Sequence, residues 1–111
     1  MLDSDRLHDL YKQLGQHAAE DVVCRALEEM AARLSHIEAS YRSGNWGDLR
    51  KNARGLGAIA EQLGITVLAK VARDVKTCAE NGDLVATAAT LARLMRVGES
   101  SLSEVCDMQD I

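Results

Sequence analysis

The sequence predicts an all-α fold: an antiparallel up-down four-helix bundle with a short additional N-terminal helix. Three observations carry that expectation. The 111 residues contain no proline and no phenylalanine, and aromatic residues make up only 3%. With 47% hydrophobic residues, the core is left to Ala, Leu and Val, which suit closely packed helices better than strands. Apolar residues recur at alternating steps of four and three, the spacing of one helix face. Finally, the gaps between these periodic stretches are short and rich in Gly, Asn and Asp, which stop one helix and start the next.

The first helix is expected from Ser4 to Leu14, with Leu7, Leu10, Tyr11 and Leu14 on one face and Gly15 closing it. Asp3, Asp5 and Asp9 read as its solvated side. The second spans about Ala19 to Arg42 on a seam of Val23, Leu27, Met30, Leu34, Ile37 and Tyr41, which leaves His17 in the preceding connection. Ser43-Gly44-Asn45 breaks it, and Asn45 is placed to N-cap the third helix. That helix carries Leu49, Ala53, Leu56, Ala60 and Leu63, and ends at Gly64. A fourth begins near Thr66 and is expected to bury Leu68, Val71, Val75 and Cys78. Asn81-Gly82-Asp83 supplies both a stop and a new cap. The fifth helix reads as a stripe of Leu84, Ala88, Leu91, Met95, Gly98, Leu102 and Val105, with Gly98 as a point of kinking or interruption. Connections of a few residues make consecutive helices antiparallel. No linker, repeat or low-complexity tract divides the chain, so residues 1–111 read as one domain.

Several function classes find no support. A net charge of −4 argues against a general nucleic-acid binder, though not against a local basic patch. No run approaches the roughly 20 apolar residues of a membrane span, and the first residues lack a basic-then-apolar leader. The three cysteines, Cys24, Cys78 and Cys106, form no C-x-x-C and no ligand cluster with histidine. Cys24 and Cys78 read as small core residues and Cys106 as exposed. A cytoplasmic protein with reduced thiols, no metal and no cofactor is expected. No nucleophile–base pair, glycine-rich phosphate loop or paired carboxylates in a cleft points to an enzyme or to a small-molecule substrate.

The third helix holds the feature that most needs explaining. Gly55 and Gly57 sit inside it, off the apolar seam, each at a cost of about 1 kcal/mol relative to alanine. Arg50, Arg54, Gly57, Ala58 and Glu61 line its outer face at steps of three and four. A low platform for a partner is one reading; glycines tolerated on a surface are the other.

The run from Asn45 to Lys76 resembles the histidine-containing phosphotransfer (HPt) domains of bacterial two-component phosphorelays. Their pattern on this helix is an Ala-His pair, any residue, Leu, Lys, Gly, any residue, Ala, and a Gly four positions on. Here the run is Ala53-Arg54-Gly55-Leu56-Gly57-Ala58-Ile59-Ala60, followed by Gly64. Gly44-Asn45-Trp46 is similar to the family's helix start, and Leu68-Ala69 with Val71-Ala72 match its next helix. The resemblance implies the bundle fold and, as partner, a response-regulator receiver domain or a sensor kinase. It departs from the family where the chemistry lies. Arg54 stands at the phosphoacceptor histidine position, Gly57 at the usual lysine and Ala58 at the usual glycine. A guanidinium stays protonated and has no lone pair with which to take a phosphoryl group. The resemblance therefore implies a partner class without the usual reaction. Arginine does recognise carboxylates and phosphates through charge-assisted hydrogen bonds. With helices three and four antiparallel about Gly64, Arg54 lies near the level of Lys76, with Arg73 one turn earlier. Arg50, Lys51, Arg54, Arg73 and Lys76 then form a basic patch, diluted by Asp74. Against that docking face stands the plainer reading of a solvated charged surface. The remaining alternatives are a relocated phosphoacceptor among His8, His17 and His36, with His36 and His17 the candidates, or a helical adaptor unrelated to phosphorelay.

Overall fold

The computed structural model describes residues 4–109. Five helices account for nearly all of them: α1 Ser4–Leu14, α2 Gln16–Ser43, α3 Trp46–Gln62, α4 Thr66–Glu80 and α5 Leu84–Gln109. They pack into a rod measuring 44 × 20 × 20 Å. α3 lies against both α2 and α4, α5 packs on α4 and more thinly on α2, and α1 packs on α2. At 1.5 Å per residue, the 28 residues of α2 run about 42 Å, nearly the whole length of the rod.

The helix ends follow from local chemistry. Asn45 caps α3 through its Oδ1, which accepts the Asp48 N–H at 3.1 Å, while its Nδ2 donates to the Asp48 carboxylate at 2.9 Å. The turns after α2, α3 and α4 share one hydrogen-bond pattern. Asn45 N–H reaches Ser40 O, Ile65 N–H reaches Ala60 O and Asp83 N–H reaches Cys78 O, at 2.8, 2.8 and 3.2 Å. Each closes a Schellman motif around a left-handed residue, and at Gly64 (φ 77°) only glycine meets that backbone without a Cβ penalty. α2 begins at Gln16, three residues before the expected start, so His17 lies in its first turn and not in a connection. Gly15, at φ 81° and ψ 166°, is the single residue that separates α1 from α2. Its carbonyl already accepts the Ala19 N–H at 3.0 Å. No side chain caps α2 there, so nothing in the local sequence marks the start.

The core lies where the four-three seams meet. Val23, Met30, Ile37, Leu49, Ala53, Leu56, Ala60, Leu68, Val71 and Val75 are fully buried. Burying each large aliphatic side chain contributes about 1.5–3 kcal/mol. Four expectations need correction. Cys24 is exposed and Cys78 only half-buried, while Cys106 is exposed as expected; none of the three forms a disulfide. α5 is continuous from Leu84 to Gln109, with no break at Gly98. Gly98 is instead the seat of Leu34: a Cβ there would stand 2.8 Å from Leu34 Cδ1. The buried stripe of α5 is also rotated from the expected one. Leu91, Gly98 and Val105 are buried as expected, but Thr87, Leu94 and Ser101 take the places of Ala88, Met95 and Leu102, and Leu84 is 63% exposed. Thr87 is admitted because its hydroxyl donates to Asp83 O at 2.7 Å. Asp5 and Asp9 are exposed as expected, whereas Asp3 lies outside the described residues.

Candidate functional site

The candidate face is the side of α3 turned away from the core. Its buried residues, Leu49, Ala53, Leu56 and Ala60, fix the rotation of the helix, so Arg54, Ala58 and Glu61 point outward and are exposed. Lys51 is exposed beside them and Arg50 is half-buried. Gly57 departs from expectation. It does not belong to the open surface but is buried between α3 and α4. A Cβ on it would lie 3.6 Å from Ala69 O, 3.7 Å from Ala72 Cβ and 3.9 Å from Arg73 Cγ. Because α3 packs on two neighbours at once, its buried arc is wider than the apolar seam alone indicates. The bare stretch of this face is therefore Ala58, not Gly57.

The same contacts set the register between α3 and α4. Gly57 stands opposite Ala72 and Arg73, which puts Arg54, one turn earlier, at the level of Lys76. The five cations expected on this face divide into two groups. Arg73 Nη1 donates to Glu61 Oε2 at 2.8 Å, tying α4 to α3, with both side chains 55% exposed. Lys76 pairs with Glu80 at 3.2 Å, and Lys70 with Asp74 at 3.3 Å. Arg50, Lys51 and Arg54 form no ion pair or hydrogen bond with any described residue. The net positive part of the patch is thus the α3 strip Arg50–Lys51–Arg54. Its α4 members are neutralised within the chain. At the far end of α3, Arg6 of α1 donates to Glu61 O at 3.1 Å, a carbonyl that also accepts the Gly64 N–H at 3.1 Å, so α1 is tied to the C-terminal turn of α3.

The opposite flank of α3 holds a feature that no local sequence pattern marks. Arg33 of α2 lies across Gly55, where a Cβ would collide with its guanidinium. Its nitrogens donate to Glu29 Oε1 at 3.1 and 3.2 Å and to Asn52 Oδ1 at 3.4 Å. The signal available was the unexplained glycine at 55 together with Glu29 and Arg33 four residues apart. Alongside runs a shallow open groove between α2 and α3, in two adjoining parts of about 450 and 360 Å3. His36, Asp48 and Asn52 line both parts, and Lys51 and Arg33 line the second. His8 and His17 are exposed on α1 and α2, away from this groove's lining. Among the described residues no group of three His, Cys, Asp or Glu side chains is placed to hold a metal. Among the described residues no helix is long and apolar enough to cross a membrane.

No family model matches this chain. Searches of curated proteins and of solved structures likewise found no match.

Proposed function

We propose that the chain is an HPt-like signalling protein of a bacterial two-component phosphorelay, acting by contact and not by catalysis. In this reading α2–α5 form an up-down four-helix bundle with α1 packed at one end. The α3 face docks on a receiver or sensor-kinase domain in the cytoplasm without accepting phosphate. The observation that carries it is Arg54. It is exposed on α3, where the resemblance puts the phosphoacceptor, and it has no counter-charge among the described residues. A receiver's phosphorylation pocket is a carboxylate cluster, or a phosphate once loaded, and an unpaired guanidinium suits either. Exposed Ala58, one turn on, leaves room for close approach.

The test has two stages. The chain is incubated with receivers carrying labelled phosphate and with an autophosphorylating kinase; no label is expected on it. Binding to the same domains is then measured, and Arg54→Glu is expected to weaken it at least tenfold. Retained affinity in that variant counts against the docking face. Absence of any binding leaves the chain as a helical adaptor outside the phosphorelay.

One observation favours a second reading, in which His36 carries the phosphoryl group. His36 shares the α2–α3 groove with Lys51, a cation able to steady charge on a transferring phosphoryl group. Label on the chain that disappears in His36→Ala, and persists in His17→Ala, establishes this reading over the first.

A further inference from the structure

Glu61 is the anomaly of the α3 face. A surface built to receive a carboxylate or phosphate cluster gains nothing from a carboxylate of its own. Glu61 stands on the same line as Arg54 and Ala58, roughly 10 Å further along the helix axis. That separation is about one Debye length at moderate salt, so a partner seated on Arg54 senses the charge at Glu61. Arg73 meets Glu61 from α4 at 2.8 Å, and the pair is half-exposed, on the face and not beneath it. An ion pair so exposed contributes little to stability.

We infer that the Glu61–Arg73 pair is a charge mask that sets the selectivity of the α3 face for acidic partners. Paired, the two residues present a neutral end beyond the cationic strip of Arg50, Lys51 and Arg54. The face then rewards a compact acidic cluster centred on Arg54 and offers no added attraction to a surface that is acidic along its whole length. Loss of Arg73 leaves Glu61 bare and repulsive. Loss of the Glu61 charge releases Arg73 and extends the positive strip onto α4. This rests on the docking reading of the face given above.

The two single substitutions separate a mask from a strut. Both Glu61→Gln and Arg73→Gln break the same link between α3 and α4, so a purely structural role moves partner affinity in the same direction in both. A mask moves it in opposite directions. With an isolated receiver domain as probe, Glu61→Gln is expected to bind about threefold tighter and Arg73→Gln about threefold weaker at low salt. Both effects shrink as salt rises, the double variant returns to the wild-type value, and Arg73→Lys retains most of the wild-type affinity. Far-UV circular dichroism checks that each variant remains folded. If Arg54→Glu abolishes binding but the two Gln variants shift affinity in the same direction or not at all, the mask is overturned and the docking face stands. If wild-type affinity is absent or indifferent to Arg54→Glu, the docking face falls and the mask falls with it.

Discussion

Replacing Gly57 by alanine adds one methyl group to the α3–α4 contact without displacing anything. The new Cβ meets Ala69 O at 3.6 Å, Ala72 Cβ at 3.7 Å and Arg73 Cγ at 3.9 Å, all ordinary van der Waals separations. Gly57 is not among the residues of positive φ, so the backbone already suits an L-residue. The helix-propensity gain of Gly→Ala is about 1 kcal/mol, part of it through a less mobile unfolded chain. The expected result is stabilisation by about 1 kcal/mol, read as a rise in Tm of roughly 4–8 °C for a domain near this size. Gly98→Ala is the matched control. It has the same propensity gain, but its Cβ would lie 2.8 and 3.1 Å from the two methyl carbons of Leu34. Overpacking there costs about 1–3 kcal/mol, so the net effect is expected to be a loss of about 1 kcal/mol. Thermal and urea melts followed by circular dichroism measure both variants. A destabilised Gly57→Ala, or equal effects of the two substitutions, refutes the account of where this fold has room. Receiver binding by Gly57→Ala should stay within about twofold of wild type, because the residue is buried away from the face.

Three further outcomes follow from the structure. Asn45→Ala removes both its bond to the Asp48 N–H and the return bond to the Asp48 carboxylate, and should cost about 1 kcal/mol in denaturant melts. Leu56→Ala, at a fully buried site, should cost about 2–5 kcal/mol by the same measurement. Arg54→Glu should leave stability within about 0.5 kcal/mol of wild type, since its exposed side chain makes no contact that the fold depends on. Its effect should appear only in partner affinity.

The helices that can be read from the sequence are those whose ends carry their own chemistry. α1 falls within the limits expected of it, Asn45 caps α3, and Thr66 opens α4 after Gly64. α2 begins early because the break at Gly15 uses backbone conformation alone, with no capping side chain to announce it. The shift of the α5 stripe escapes a count of apolar residues because two of its buried positions, Thr87 and Ser101, are polar. Gly98 is buried to receive Leu34, a long-range match that no local pattern contains. On the candidate face, the exposure of Arg54, Ala58 and Glu61 follows from the four-three spacing of α3. The ion pairs that neutralise Arg73 and Lys76 do not, because one depends on the α3–α4 register and the other on which rotamer Lys76 takes toward Glu80.

The three short turns after α2, α3 and α4 contain no slack, and this bears on which changes the chain can absorb. One inserted residue beyond such a turn rotates the next helix by about 100°, carrying its buried stripe toward water. Insertions and deletions at Gly44–Asn45, Leu63–Ile65 or Asn81–Asp83 are therefore far more damaging than substitutions on the outer face of α3. The framework is intolerant of changes in length, yet it is indifferent to the identity of residue 54. On a scaffold of this kind an exposed position can change its side chain by a single codon change while the shape stays constant.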